Sequence, residues 1–348
     1  MGNNTVTTRV TEIVLPGKVE PDGLRVTTRE LPAPATGQVV LSLDATGVSF
    51  AEQQMRRGKY FDQPPFPFVP GYDVVGTVTA TGPGVDTALI GRRFAAVTKV
   101  GAWASSLLLD AADLVAVPDG VTAAAAETVV VNGVTAWQML HRTAAVRAGG
   151  TIVVLGANGG VGSTLVQLAR QSGITVIGTA SPRHHATVRN LGAIPVDYRD
   201  PQMYQRIADI APDGVDAVFD HVGGAGLTDS WKLLRRGGTL VSYGTAATKD
   251  ADGNSRLPVL KLFGQLAMWN YLPNGKSAHF YNFWAGKRRL DTFRSRLRED
   301  LTQVLRLLAA DVITPQIAAE FPLSEAGSAL ALAESRTVAG KVVLVPDA

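Results

Sequence analysis

At 348 residues the chain exceeds a typical single domain, and its composition, 46% hydrophobic and 18% charged with 36 glycines and 19 prolines, is that of an ordinary globular protein rather than a disordered or collagen-like one. The net charge of +3 comes from 33 basic and 30 acidic residues spread along the chain, which argues against nucleic-acid binding. Without cysteine there is no disulfide framework, no thiolate metal site and no cysteine nucleophile.

The opening MGNNTVTTRV lacks the apolar core of a signal peptide, and no apolar run approaches the roughly 18 residues of a membrane span. The expectation is a soluble cytoplasmic protein of two domains with a cleft, engaging neither membrane nor nucleic acid. Residues 9 to 126 read as short strands, VVLSLDATGV, VVGTVTATG, RRFAAVT and WASSLLL, punctuated by glycine and proline clusters. This texture predicts a compact β-rich domain. From residue 127 strands alternate with helices. TIVVLGA precedes a helical STLVQLARQSG, ITVIGTA a helical RHHATVRNLGA, and VDAVFDHVGG a helical LTDSWKLLRRGG and then TLVSYGTAA. That alternation predicts a parallel, doubly wound sheet.

Further on, RLDTFRSRLREDLTQVLRLLA sets Leu290, Phe293, Leu297, Leu301, Val304, Leu305 and Leu308 on one helical face, which reads as a core helix with a solvated basic side. The closing GKVVLVP is strand-like and resembles the first domain, to which it is expected to return.

The segment TIVVLGANGGVGSTLVQLARQSG places Gly156, Gly159 and Gly162 after an apolar strand and at the opening of an amphipathic helix. Glycines there let the backbone turn tightly, approach a pyrophosphate and pack helix on strand, while the helix N-terminus offers N–H groups to phosphate. Gly156, Asn158, Gly159, Gly160 and Val161 are therefore candidate dinucleotide contacts. No Lys-Ser or Lys-Thr pair follows, so this is not a kinase-type phosphate loop. Between Gly162 and Asp197 the chain has neither Asp nor Glu, although an NAD site places an acid at the end of its second strand. Ser181, Arg183, His184, His185 and Arg189 stand there instead. Hydroxyl and cationic donors suit a 2′-phosphate, which points to NADP(H). The adjacent His184 and His185 diverge and have no third partner, which argues against a metal.

These motifs in order, GVSFAEQQMRRGKY, PFVPGYDVVGTV, VNGVTAWQML, GANGGVGSTLVQLAR, GVDAVFDHVGG, RRGGTLVSYG and GKVVLVP, resemble the medium-chain dehydrogenase/reductase family, specifically its zinc-independent quinone oxidoreductase-like and enoyl reductase branch. The resemblance runs from about residue 10 to 345. It implies an α/β fold in which a Rossmann NADP-binding domain, 127–284, is inserted in a GroES-like catalytic domain, 1–126 and 285–348. It further implies Thr135 and Val222 near the nicotinamide and Tyr243 near the adenosine side or bridging ribose. Ser181, His184 and Tyr198 match the 2′-phosphate contacts, with His184 in place of the family's usual lysine, and Lys341 matches a position that reaches the pyrophosphate. The strand SAHFYNF corresponds to one that pairs across a dimer two-fold, so a homodimer through the Rossmann edge is implied.

Departures from the pattern carry information too. Tyr72 in PGYDVVG replaces the histidine of zinc-dependent members, and their cysteine ligands and four-cysteine lobe are missing. Ser49 replaces the asparagine of GVN and is followed by Glu52, altering the hydrogen bonding expected near the nicotinamide amide. Tyr60 matches the tyrosine that donates a proton in enoyl reductases. A phenol with a reference pKa of about 10 is protonated near neutrality and can do so, or it can simply pack beside Phe61 and Phe66. Ser49 and Tyr60 are the catalytic candidates. Tyr72 reads as structural, Asp73 and Glu52 as loop-holding acids, and His221 as a packed or solvated side chain. Trp269, Tyr271, Phe280, Tyr281, Phe283 and Trp284, in the aromatic-rich stretch 250–284, either wall a pocket or serve packing.

The leading expectation is NADPH-dependent, metal-free hydride transfer to a small-molecule quinone or α,β-unsaturated carbonyl. An NADPH-binding regulatory protein without turnover, or a carbonyl/alcohol dehydrogenase, are the alternatives. No Gly-x-Ser-x-Gly elbow supports a hydrolase.

Overall fold

A computed structural model describes residues 8–244 and 256–347. The chain divides into two compact units, Met1–Val134 with Gly286–Ala348, and Thr135–Ala285. The first division falls later than the change of texture at residue 126. The cause is helix α2 (Ala123–Val129), helical in sequence but packed on four strands of the first unit.

In the first unit β1 (Thr8–Val14) and β2 (Arg25–Leu31) form an antiparallel pair. Then come β3 (Gln38–Val48), α1 (Phe50–Arg56), β4 (Asp73–Thr81), β5 (Arg93–Val97), β6 (Ser106–Asp110) and β7 (Val115–Ala116). After the second unit the chain returns as α9 (Leu290–Ala309), β14 (Ile317–Pro322), α10 (Ala326–Glu334) and β15 (Lys341–Val345). The main sheet runs β14-β15-β3-β4-β5-β7, with β6 also paired to β3. The C-terminal strand thus lies antiparallel beside β3, Val343 opposite Gly47, as the apolar GKVVLVP run predicts. β3 is central and buries nearly every side chain, so its apolar positions run consecutively instead of alternating. Val39, Leu41, Val74, Trp103, Val342 and Leu344 belong to one core. In α9 the buried face is Phe293, Leu297, Asp300, Leu301, Val304, Leu305 and Leu308. Leu290 is 43% exposed, at the first position of the helix, a correction to the expected face.

The second unit continues helix α3 (Val131–Trp137) and then alternates β8 (Thr151–Val154), α4 (Gly160–Gln171), β9 (Thr175–Ala180), α5 (His185–Leu191), β10 (Ile194–Asp197), α6 (Met203–Ile210), β11 (Val215–Asp220), α7 (Leu227–Lys232), β12 (Leu234–Ser242), α8 (Arg256–Asn270) and β13 (Ser277–Phe280). Its sheet is wholly parallel in the order β10-β9-β8-β11-β12-β13, the doubly wound Rossmann arrangement in which the order reverses between β8 and β11. The segment LLRRGG, expected to end a helix, instead opens β12. Leu234 pairs with Val215, and Gly237, at φ +83°, carries a register shift that no helix would accept. SAHFYNF begins with β13, which is the outer strand as expected.

Candidate functional site

In the second unit the glycine loop joins β8 to α4. Gly156 has φ +71°, its N–H donates to Thr179 Oγ1 at 3.0 Å, and a Cβ there would strike the His221 ring. His221 is fixed in turn, its Nδ1 donating to the Leu155 carbonyl at 3.0 Å, since a carbonyl can only accept. Of the two expectations for His221, packed or solvated, its half-buried ring held on Leu155 fits the first, and that ring is the reason residue 156 must be small. A Cβ on Gly162 would collide with the Gly156 carbonyl, so that glycine lets the helix close on the loop. Gly159 is the N-cap of α4 and no side chain caps the helix, which leaves the first-turn N–H groups facing outward for an anion. Asn158, Gly160 and Val161 sit half-buried around that end.

Parallel pairing of Asp197 with Ala180, and the Tyr198 N–H donating to the Ala180 carbonyl at 3.3 Å, set the ends of β9 and β10 side by side. This sets Tyr198 next to the strand end that leads into Ser181, and Arg183 and His184 follow in the same turn. Arg183 Nε donates to His184 Nε2 at 3.2 Å, so that ring nitrogen carries no proton. Burial first, and the Arg183 charge second, hold the His184 imidazole below its ordinary pKa. Sequence reasoning missed Arg199, whose guanidinium lies 5.5 Å over the Tyr198 ring, stiffening that exposed phenol. Its adjacency to Tyr198 was the available signal.

At the end of β11 Asp220 is fully buried, accepting from the Val222 and Gly223 N–H groups and the Ser230 hydroxyl, each at 2.8 Å. The carboxylate thereby shapes the turn that presents Val222, 36% exposed. Tyr243 N–H donates to the Asp220 carbonyl at 2.9 Å, and its ring lies 5.9 Å from His221. Burial, then the Asp220 charge, push the Tyr243 phenol above its usual range, so it remains a neutral donor. Thr135 is buried within α3. Of the aromatic stretch, residues 250–255 lie outside the described residues. Trp269 stacks on Trp231 at 4.9 Å in the core and Tyr281 bonds Gln138 at 2.9 Å, whereas Tyr271 is 88% exposed.

The first unit gives Ser49 a task other than the expected one. It is the N-cap of α1: its Oγ accepts from Ala51 N–H at 3.2 Å, while Glu52 Oε2 accepts from Ser49 N–H at 2.9 Å and from the Ser49 hydroxyl. The reason is local, because Ser-Phe-Ala-Glu is a capping box. Glu52 is buried, and burial raises its pKa against the opposing Ser49 bond. Lys341 likewise departs from the pyrophosphate contact implied for it. Only 3% exposed, its ammonium lies 2.8 Å from Asp73 Oδ2 and 2.5 Å from Glu127 Oε1. Burial alone would lower its pKa, but these two carboxylates overcome burial and raise it. Burial likewise raises Glu127, against the pull of Lys341. Desolvated charge explains the arrangement: an ammonium inside a protein must be paired. A Cβ on Gly47 would strike both Glu127 and Lys341, so the neighbouring strand makes room for the pair.

Beside this cluster, Tyr60 and Tyr72 meet hydroxyl to hydroxyl at 3.0 Å, their rings edge-on. Among the described residues no group of three His, Asp or Glu side chains is placed to hold a metal ion, and with tyrosine at 72 and no cysteine the donors present do not fit the zinc set of zinc-dependent dehydrogenases. No helix among them is long and apolar enough to cross a membrane.

Comparison with known proteins agrees with this architecture. Residues 35–136 match the alcohol dehydrogenase GroES-like domain, and residues 191–344 match a family described as zinc-binding dehydrogenase. The chain is 30% identical over 321 residues to the synaptic vesicle membrane protein VAT-1 homolog of Rattus norvegicus, spanning 90% of this chain and 78% of that one. A mycobacterial structure solved with NADPH is 27% identical, with a TM-score of 0.81 over 97% of this chain and 100% of the other. A quinone oxidoreductase of Pseudomonas syringae pv. Tomato is 26% identical, with a TM-score of 0.83 over 97% and 100%.

Proposed function

Since the chain belongs to the medium-chain dehydrogenase/reductase family, as a quinone oxidoreductase-like member, we propose that it is an NADPH-dependent reductase of quinones or α,β-unsaturated carbonyls that works without a metal ion. The observation that supports the cofactor choice is the end of β9, where Ser181, Arg183 and His184 follow the strand that pairs with β10 before Tyr198, with no acid between Gly162 and Asp197. Arg183 supplies the cation, Ser181 and Tyr198 hydroxyl donors, and Arg199 holds Tyr198 in place. The glycine loop and the N-terminus of α4 hold the pyrophosphate, while Thr135, Val222 and Tyr243 line the sugar and nicotinamide side. When bound, the cofactor supplies the hydride.

For an unsaturated carbonyl the remaining need is a proton. Tyr60, partly exposed and hydrogen-bonded to a second phenol, is the donor we assign. We further propose that β13 pairs with its counterpart in a homodimer, since it is one of the two outer strands of the sheet and Tyr271 and Leu272 stand exposed just before it.

The test is oxidation of NADPH, followed by absorbance, against quinones, enones and enoyl thioesters, repeated with NADH. Turnover with a strong NADPH preference is expected. Tight NADPH binding with every acceptor silent would instead make the chain a binding protein, and preference for NADH would remove the phosphate-site assignment. Sedimentation velocity tests the dimer, which a monomer at all concentrations would rule out.

A further inference from the structure

We infer that Tyr72 is a positioning residue for proton delivery, holding the Tyr60 hydroxyl so that its proton points toward the acceptor. The inference rests on the enone reading of the proposed function and on Tyr60 as donor.

The two phenols differ in how they are held. Tyr72 is 5% exposed, and its backbone is clasped: its carbonyl accepts from Thr98 N–H at 2.9 Å and Lys99 N–H at 3.2 Å. One residue earlier, the Gly71 carbonyl accepts from Thr98 Oγ1 at 2.8 Å, and a Cβ on Gly71, whose φ is +105°, would strike the Trp103 backbone. Pro70 in turn accepts from Trp103 N–H at 3.0 Å. Tyr60 instead follows the last turn of α1, beside Phe61, which is 73% exposed. A buried, clasped phenol therefore meets a more accessible one at 3.0 Å.

A hydroxyl has one proton and accepts through its lone pairs. If Tyr72 donates, Tyr60 accepts on one side and its own proton is turned away from Tyr72. The reverse polarity would aim the Tyr60 proton inward. Only the first arrangement lets Tyr60 serve as an acid, and donation from Tyr72 polarises the Tyr60 O–H bond further.

The acceptor's β-carbon takes the hydride that a bound NADPH would supply, so that the acceptor is reduced and the nicotinamide oxidised, and the alkene pair shifts to leave an enolate. The Tyr60 O–H bond then breaks as the C–H bond at the α-carbon forms, so the enolate becomes the saturated carbonyl and Tyr60 a phenolate. Tyr72 stabilises that phenolate with its hydrogen bond until a solvent proton restores it. Reduction of a quinone makes a different demand. Its product anions carry their charge on oxygen, which water protonates directly, so the phenol pair is dispensable there.

The test measures kcat and KM of wild type, Tyr60→Phe, Tyr72→Phe and the double variant at saturating NADPH, with cyclohexenone and phenanthrenequinone as acceptors. We expect Tyr60→Phe to lower kcat for cyclohexenone on the order of a hundredfold and Tyr72→Phe about tenfold, with KM within about twofold. The double variant should be no slower than Tyr60→Phe, and the phenanthrenequinone rate should stay within about twofold in all. If Tyr72→Phe fails to bind NADPH, Tyr72→Met, also without a hydroxyl, replaces it. Equal loss with both acceptors would show a merely structural Tyr72 and overturn the inference. So would an unchanged Tyr72→Phe beside a slow Tyr60→Phe, or multiplicative losses in the double variant; either leaves Tyr60 standing. A fully active Tyr60→Phe, or a wild type that reduces only the quinone, overturns the donor assignment and this inference with it.

Discussion

Each unit buries one aspartate completely at a strand end, Asp220 after β11 and Asp73 at the start of β4, and the two are satisfied in opposite ways. Asp220 takes neutral donors from its own turn and from Ser230, ten residues on. Asp73 takes one backbone N–H, from Val131, and the ammonium of Lys341, 268 residues away. A carboxylate met by backbone N–H groups burdens nothing around it. One met by a buried cation forces a further account, because Glu127 and Glu52 share that interior and burial pushes both toward their protonated forms. The Rossmann unit thus builds its site from local, neutral geometry, while the β-rich unit depends on long-range charge balance.

The sharpest way to break that contrast is to delete each partner. Lys341→Met leaves Asp73 without its cation and should cost about 3–5 kcal/mol of stability in denaturant unfolding of the intact chain. Ser230→Ala removes one of three neutral donors from Asp220 and should cost about 1 kcal/mol. Equal losses would show that the two carboxylates are alike in energetic terms and end the comparison.

The same contrast explains what could be read from the chain. Gly156, Gly159 and Gly162 act within seven residues of one another, so spacing alone reveals their turn and their close approach. Ser181 and Tyr198 are joined by one step of parallel pairing, which strand alternation predicts. The union of Lys341 with Glu127 and Asp73 crosses the whole inserted unit, and no local pattern announces it. Ser49 shows the opposite case: its Ser-x-x-Glu spacing is a local capping signal, and the structure builds that cap. Tyr72 looked structural because position 72 says nothing about what Tyr60 does; the hydroxyl contact is a tertiary fact.

The local side of the comparison can be sharpened at Gly162. A methyl group there meets the Gly156 carbonyl, which is backbone and cannot swing aside. The loop must shift, at a cost of about 1–3 kcal/mol, and NADPH affinity should fall roughly 10–100-fold by calorimetry. Unchanged affinity would mean that the loop does not hold the pyrophosphate.

The charged side can be sharpened by pH. Glu127 and Glu52 both have folded pKa values raised above their unfolded ones, so the folded state retains protons that the unfolded state releases. Their contribution is therefore full below the ordinary glutamate range and is lost as pH climbs toward the raised folded values. Lys341 is also raised, so its own contribution persists until pH passes the ordinary lysine range and fades only above it. The share of stability these two groups contribute should consequently decline as pH rises above the ordinary glutamate range. Glu127→Gln should flatten that decline by on the order of 1 kcal/mol while keeping the Lys341–Asp73 pair. An unaltered slope would place the retained proton elsewhere.

The smallest expected effect returns to the Rossmann unit, where the His184 imidazole stands beside the fixed charge of Arg183 just after the end of β9. Burial and Arg183 hold its imidazole down, so near neutrality it is uncharged beside the Arg183 cation. A 2′-phosphate reverses part of that bias, because its negative charge favours the imidazolium. Proton uptake then accompanies NADPH binding, and affinity should rise as pH falls from about 8 to about 6, by only about threefold at an exposed, screened site. NADH, which lacks the phosphate, should show no such trend, and His184→Gln should abolish it for NADPH while leaving alkaline affinity intact. Arg183→Gln should weaken NADPH at every pH. A histidine variant that loses affinity uniformly would make His184 a neutral donor to the cofactor, and Arg183 would then carry the charge of the phosphate site.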